Sequence, residues 1–348
     1  MLACGIRATG GLDQIQILDV PAPASPPGPG QARVAIRAAA LNHLDLYVVR
    51  GLPGGSSFPH ILGADGAGVV QAVGSGVTQV KPGDQVMINP GIADYTCEFC
   101  RAGEHSLCVN FRLLGEHLPG TLAAMVDVPA RNLALVPRLD PPVSWPEAAA
   151  FSLVTLTAWR MLVTRAAVRD GETVLIWGIG GGVSLAALRI AKLRGARVFV
   201  TSSSDAKLAA AATIGADVTL NHRTRQVAQE VRALTGKRGV DVVVDNVGEA
   251  TWEESLRALA KGGRLVTCGA TSGPRAMTDV RRVFWNQYTI MGSTMGNEAE
   301  YRAAVEQLAQ GRLRPIVDRV YPLSQARAAL ERLERGEQLG KIVVELPS

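Results

Sequence analysis

Hydrophobic and polar positions change rhythm twice along the chain. Up to about residue 130, apolar residues come in short β-rich runs, Arg33-Val-Ala-Ile36, Gly68-Val-Val-Gln-Ala-Val73 and Gln85-Val-Met-Ile88. Turns such as Gly28-Pro-Gly30 and Lys81-Pro-Gly-Asp84 separate them. Runs of that kind predict short strands and a compact, barrel-like β-rich domain. Near Ser144 the rhythm changes. Ser144-Trp-Pro-Glu147 has the spacing of a capping box with proline in the first turn, and predicts a helix from 145 to about 165. Strands over 173–177, 197–201, 218–221, 241–245 and 264–267 follow, with helices over 183–194 and 205–214 between them and a last edge strand over Thr289–Met291. Alternation of β and α units predicts a doubly wound parallel sheet with helices on both faces. The tail returns to mixed texture, with a strand over 316–320, a helix over 324–335 and a strand over 341–346. The expected fold is therefore α/β. A β-rich domain spans 1–130 with a cysteine lobe over 91–112. A parallel-sheet domain spans 131–295 and is entered by the helix over 145–165. The segment 296–348 packs back on the first domain.

Composition narrows the function classes. A chain of 348 residues can form two cores. With 47% hydrophobic and 19% charged residues it reads as an ordinary soluble globular protein. The net charge of +5 is small and its basic residues are scattered, so nucleic acid is not an expected partner. No apolar run has membrane-spanning length, and the start Met-Leu-Ala-Cys-Gly-Ile-Arg lacks the layout of a signal peptide. A cytoplasmic location is expected.

Three of the five cysteines, Cys97, Cys100 and Cys108, fall within twelve residues. A Cys-x2-Cys pair sets two thiolates on one turn, and a third from the following loop closes on them, which is how zinc is enclosed tetrahedrally. An odd, clustered set favours metal over disulfides; the alternative is a metal-free lobe with free thiols. Cys4 and Cys268 stand alone.

Between the strand over 173–177 and its helix lies Gly178-Ile-Gly-Gly-Gly182-Val-Ser184. Glycines there let the backbone approach a pyrophosphate, and the helix N-terminus beyond offers free N–H groups. Gly178, Gly181, Gly182 and Val183 are the expected contacts of a dinucleotide. The next strand ends in Thr201-Ser-Ser-Ser204-Asp205-Ala-Lys207. A site for NAD(H) usually holds the ribose 2′-hydroxyl with an acidic residue at this strand end. Ser202, Ser203 and Lys207 suit a 2′-phosphate, with Asp205 expected to cap the helix, and His222 and Arg223 could close on the same phosphate. NADP(H) is preferred over NAD(H). Asn246, Gly269, Ala270 and Thr271 follow strand ends, where the nicotinamide is expected.

With these features in hand, the chain resembles the medium-chain dehydrogenase/reductase superfamily, the zinc-type alcohol dehydrogenases and their quinone oxidoreductase relatives. Ala40-Leu-Asn-His-Leu-Asp45, Gly63-Ala-Asp-Gly-Ala-Gly68, Val80-Lys-Pro-Gly-Asp-Gln-Val86, the cysteine lobe, Leu156-Thr-Ala-Trp159, the Gly-rich turn, Lys261-Gly-Gly-Arg264 and Leu339-Gly-Lys-Ile-Val343 occur in the family's order. The resemblance implies a GroES-like first domain, a Rossmann domain, an active site in the cleft between them, and cofactor contacts from Thr157 and from Lys341 on the pyrophosphate. It also implies one structural zinc per chain on Cys97, Cys100 and Cys108, with Asp94 at the position of the family's first cysteine and His105 as its rival. The catalytic zinc ligands of the family fall on Asn42, Ala64 and Leu153, none of them competent. His43 and His60 are nearby and read as satisfied or surface histidines.

Without a Lewis acid, direct alcohol–aldehyde chemistry loses its carbonyl polariser. Hydride addition to a quinone or an α,β-unsaturated carbonyl is less demanding, and the resemblance to the zinc-free quinone oxidoreductase and alkenal reductase branch implies that reaction with a small-molecule substrate. In it Asn42 would donate to the substrate oxygen, Tyr47 would donate a proton or line the pocket, and Asp45 would order the loop. Asp65 would hold Arg50 or a helix end, and Phe284 and Trp285 would pack or cover the substrate. The rivals are an alcohol dehydrogenase with a rebuilt metal site and an idle NADPH-binding protein. A homodimer or homotetramer is implied, the edge strand suggesting sheet-to-sheet pairing.

Overall fold

The computed structural model describes residues 1–24, 26–52 and 57–347; Ser25, within the Pro-rich loop Pro21–Gly30, lies outside them. The chain divides into two compact units, Met1–Leu153 with Gly296–Ser348, and Val154–Met295.

The first unit is built around the strand Gln31–Ala40. It pairs antiparallel with Asp65–Val73, Met125–Pro129 and Lys341–Glu345. Asp65–Val73 carries Gln85–Ile88 on its other side, and Leu133–Leu135 follows. Val34, Ile36, Leu62, Val70, Ile88, Leu122 and Ile342 form its core. Strand spacing is tight enough that a Cβ on Gly68 would lie 1.9 Å from the carbonyl oxygen of Ala35, so only glycine fits. The C-terminal strand Lys341–Glu345 also pairs in parallel with Val317–Pro322, so residues from the end of the chain join the sheet of its first third.

The division falls at Leu153/Val154 rather than at 130/131. The strand Leu133–Leu135 still belongs to the first sheet. The first half of the helix Trp145–Trp159 is tied to the first unit as well. Ser152 Oγ lies 2.9 Å from Tyr301 Oη, Glu147 accepts from Arg314 at 2.9 Å, and the Leu153 N–H donates to Asp65. The capping box predicted at its start is present, with the Ser144 N–H donating to Glu147 Oε2 at 2.9 Å, and a π-helical stretch Arg160–Arg165 continues it.

The second unit is a sheet of six parallel strands in the order Val218–Asn221, Arg197–Ser202, Thr173–Ile176, Val240–Asp245, Leu259–Thr267 and Thr289–Gly292. The order reverses at Thr173–Ile176, as in a doubly wound nucleotide-binding sheet. Thr289–Gly292 is an edge strand. The helix Asp205–Ile214 is capped by Ser204, whose Oγ accepts the Lys207 N–H. Asp205 is instead its first residue and accepts from Asn221 Nδ2 at 2.7 Å, so the capping role expected of it is corrected. Packing of Phe284 and Trp285 is corrected too: they stand 64% and 75% exposed on the helix Val280–Asn286, beside exposed Met277 and Val280. Among the described residues no helix is long and apolar enough to cross a membrane.

Candidate functional site

The helix His43–Arg50 starts where the sheet strand Gln31–Ala40 ends. Asp45, fully buried, accepts the N–H groups of Asn42 at 2.8 Å and Gly63 at 2.9 Å. It thereby ties the helix start to the chain just before Asp65. Burial pushes its carboxyl up to about 6, against the opposing pull of those two N–H groups. Its geometry is that of a group ordering the loop.

Asn42, Asp65 and Lys341 meet there. Lys341 Nζ lies 2.5 Å from Asn42 Oδ1 and 3.0 Å from Asp65 Oδ2. Asn42 Nδ2 donates to Asp65 Oδ2 at 3.0 Å and to the Ala40 carbonyl at 3.3 Å. The Leu153 N–H donates to Asp65 Oδ1 at 2.8 Å. All three side chains are buried.

Two expectations, the donor role of Asn42 and the pairing of Asp65 with Arg50, are corrected by this geometry. Both amide hydrogens of Asn42 are used inside the protein, so Asn42 has none left for a substrate oxygen. Of the two roles expected of Asp65 the helix end holds, since it accepts from Asn42 at the N-terminus of the helix His43–Arg50 as well as from Lys341 and the Leu153 N–H, while Arg50 pairs with Glu334 at 2.5 Å. Lys341 directs two of its N–H groups to a carboxylate and an amide oxygen of its own unit. Neither contact was legible locally, because Asn42 and Lys341 are 299 positions apart.

Tyr47 is half-buried, and burial raises its phenol above the ordinary value. His43, at the first turn of the helix, is half-buried, and burial lowers its pKa, helped by the positive charges of Lys341 and Arg50. It is therefore neutral at pH 7. His60 Nε2 lies 2.9 Å from the Gly115 carbonyl, a satisfied core histidine.

In the cysteine lobe one ligand atom each from Asp94, Cys97, Cys100 and Cys108 lies within 4.8 Å of the others. The Asp94 carboxylate is oriented by the N–H groups of Thr96 at 2.7 Å and Cys97 at 3.1 Å and by Asn110 Nδ2 at 2.7 Å. These bonds hold it well below the usual carboxylate range. Backbone N–H groups of Asp94 and Asn110 point at Cys108 Sγ, 3.3 and 3.4 Å away. Three sulfurs and one carboxylate at such separations fit a tetrahedral zinc. His105 is engaged elsewhere, its Nδ1 accepting the Glu298 N–H at 3.3 Å and its ring centroid 4.7 Å from that of Tyr95.

In the second unit Gly178 has φ +66° and Gly180 φ +144°, values that favour glycine. The Gly178 and Ile179 N–H groups bond Thr201, so the turn is anchored to the neighbouring strand. The helix Gly182–Leu193 starts at Gly181 with no side-chain cap, Val183 lying in its first turn, which leaves its leading N–H groups for an anion. That arrangement fits a pyrophosphate.

Of the other expected contacts, Ser202 is buried and its Oγ accepts the Ser204 N–H, while Ser203 is half-buried. His222 Nδ1 lies 3.3 Å from Thr201 Oγ1, and burial lowers its pKa. Thr157 is buried, its hydroxyl 3.8 Å from Met295 Sδ. Gly269 and Ala270 are exposed, and the exposed Thr271 bonds the Asn246 carbonyl at 3.4 Å. Asn246 Oδ1 is a buried acceptor with no partner among the described residues. Asp245, which carried no expected role, braces this end of the sheet: it accepts the N–H groups of Val247 and Gly248 and the hydroxyls of Thr251 and Ser255.

These features can be set beside known proteins. The family profile described as alcohol dehydrogenase GroES-like domain matches residues 28–138, and that described as zinc-binding dehydrogenase matches 182–310. The acryloyl-coenzyme A reductase of Metallosphaera sedula is 31% identical over 320 residues, covering 91% of this chain and 93% of that protein. The chain belongs to the medium-chain dehydrogenase/reductase superfamily. It is an oxidoreductase of this NAD(P)-dependent family, with a GroES-like unit and a Rossmann unit. A solved NAD-dependent alcohol dehydrogenase is 44% identical with a TM-score of 0.95, covering all of both chains. A 2-octenoyl-CoA carboxylase reductase, CinF, solved with NADP and 2-octenoyl-CoA, is 28% identical with a TM-score of 0.89, covering 99% of this chain and 87% of that one.

Proposed function

We propose that this medium-chain dehydrogenase/reductase reduces the C=C bond of an α,β-unsaturated carbonyl compound with NADP(H), and works without a metal at the Asn42–Asp65–Lys341 centre. One observation carries the reading: the buried Lys341 ammonium on Asn42 Oδ1 and Asp65 Oδ2. A zinc ion needs three convergent donors, and beside an ammonium it would be repelled. A bound nicotinamide supplies the hydride. The chain's part is to hold it: the N–H groups at Gly181–Val183 on the pyrophosphate, Asn246 and Gly269–Thr271 around the ring, Ser203, Lys207 and His222 toward a 2′-phosphate, with Thr157 beside them. Tyr47 lines the substrate side. Asp94, Cys97, Cys100 and Cys108 hold one structural zinc, with Asp94 rather than His105 as the fourth ligand. The acryloyl- and octenoyl-CoA reductases among its relatives favour enoyl thioesters, and quinones fall in the same reaction class.

The 44% identity to an NAD-dependent alcohol dehydrogenase favours a second reading, alcohol oxidation. Steady-state assays of NADPH and NADH with enals, enoyl thioesters, quinones and simple aldehydes, run beside zinc analysis, separate the two. Consumption of NADPH with an enal or enoyl thioester and one zinc per chain supports the proposal. Two zinc ions per chain with chelator-sensitive alcohol oxidation overturns it. The edge strand Thr289–Gly292 and the exposed Met277, Val280, Phe284 and Trp285 suit pairing with a second copy. Light scattering is expected to give a dimer mass or twice it.

A further inference from the structure

The buried centre has three side chains that could donate to or accept from a substrate, and the donors can be counted. Asn42 has two amide hydrogens, one on Asp65 Oδ2 and one on the Ala40 carbonyl. Asp65 is an acceptor only; its Oδ1 takes the Leu153 N–H and its Oδ2 takes Asn42 and Lys341. Lys341 carries three N–H groups. Two are used, on Asn42 Oδ1 at 2.5 Å and Asp65 Oδ2 at 3.0 Å. The third has no partner among the described residues, although the side chain is only 4% exposed. Buried polar groups are almost always hydrogen-bonded, and for an ammonium an unmet donor is costly.

We propose that Lys341 is a catalytic residue: its third N–H binds the carbonyl oxygen of the substrate and stabilises the negative charge that develops there. The proposal rests on the enone-type reading above. Hydride arrives at the β-carbon with its electron pair. The C=C pair moves to join Cα and the carbonyl carbon, and the C=O pair moves onto oxygen. The ammonium stays protonated and donates to that oxygen. A proton from water then reaches Cα as the oxygen pair returns to the carbonyl. The two bonds to Asn42 and Asp65 hold the ammonium in place before the charge appears, the condition under which such a donor is most effective. Asn42 and Asp65 are then positioning residues. The arrangement replaces a metal's fixed positive charge with an organic one.

The test uses the whole enzyme with Lys341→Met and Lys341→Arg. Loss of one preorganised oxyanion donor lowers kcat by about 10²–10³, so Lys341→Met is expected to lose that much in kcat while its Kd for NADPH, read by fluorescence, stays within about threefold of wild type. Lys341→Arg is expected to recover part of kcat. A rise in the NADPH Kd with kcat preserved at saturation overturns the proposal and places Lys341 on the cofactor. An unchanged kcat overturns it as well. Where Lys341→Met fails to fold, Asp65→Asn with Lys341→Gln removes both charges and is read in the same way. Turnover by wild type of simple aldehydes only would refute the enone reading, and the variants are then scored on the aldehyde. With an inactive wild type, the Kd of butyrate for the NADP-loaded protein decides: a tenfold rise in Lys341→Met supports the proposal, and no change sinks it.

Discussion

The cysteine lobe and the Asn42–Asp65–Lys341 centre occupy the same folding unit, and in the family resemblance both coincide with zinc positions. They solve a similar electrostatic problem in opposite ways. The lobe gathers four anionic or anion-forming atoms within 4.8 Å, a donor set that could hold an external cation. The centre brings its own cation and surrounds it with one carboxylate and one amide oxygen. A metal needs three or four donors, whereas an ammonium is accommodated by two acceptors and leaves a proton over. Replacing ligands need not empty a site of positive charge; it can change which part of the chain supplies that charge.

The sharpest way to break this contrast is Asp65→Ala. It leaves the Lys341 ammonium buried without its counter-ion, and removal of one partner of a buried pair costs about 3–5 kcal/mol. Urea unfolding should report a loss of that size, with activity gone. A loss below roughly 1 kcal/mol, the value of an exposed pair, would mean the ammonium relocates and the centre is not preorganised.

Asp45 gives the next effect, through pH. Its folded pKa is raised from 3.8 to about 6 by burial. Between those values the folded protein keeps a proton that the unfolded chain has released. Its contribution therefore falls as pH rises through that window, and is constant above it. At about 1.4 kcal/mol per pKa unit the total is roughly 3 kcal/mol. Stability curves of wild type and Asp45→Asn should differ in slope between about pH 4 and 6; parallel curves would show that Asp45 does not titrate there.

The lobe is tested by Cys100→Ser, expected to abolish binding of the one zinc proposed for it. With free zinc about a hundredfold above its Kd, the linked stability is roughly 2.7 kcal/mol, and Tm should become independent of added zinc. Enone reduction should continue below the new Tm; its complete loss would tie the lobe to the chemistry and erase the contrast. The smallest effect is expected of Ser144→Ala, which removes the cap of the helix that carries the Leu153 N–H to Asp65. Loss of such a cap costs about 1 kcal/mol, measurable by denaturant unfolding, with kcat nearly unchanged.

Much of the fold was legible because its signals are local. The helix at 205–214 agrees with Asp205–Ile214, and the strand at 218–221 with Val218–Asn221. The helix His43–Arg50 was not foreseen, since it is short and its second half, Tyr47-Val-Val49, is β-forming. The short helices Val227–Leu234 and Trp252–Ala258 were missed for a similar reason, each spanning about two turns. Within the site, the Cys-x2-Cys turn and the Gly-rich turn were readable, since each needs a few consecutive residues. The partners of Asn42, Asp65 and Lys341 were not readable, because a side chain's direction depends on what faces it.

The chain's periodicity and turn residues therefore determined by themselves a β-rich unit, a doubly wound sheet, a cluster of cysteines and a glycine-rich turn at a helix N-terminus. Each of these is encoded within one element or one loop. Only the tertiary structure decided that Lys341 meets Asn42 and Asp65, that both amide hydrogens of Asn42 are used internally, and that His105 faces Tyr95 and Glu298. The strand Lys341–Glu345 pairs with Gln31–Ala40 and brings the end of the chain to its beginning. Contacts of that kind arise from burial of apolar strand faces distributed over the whole sequence, and no local pattern records which polar side chains the buried sheet will bring together.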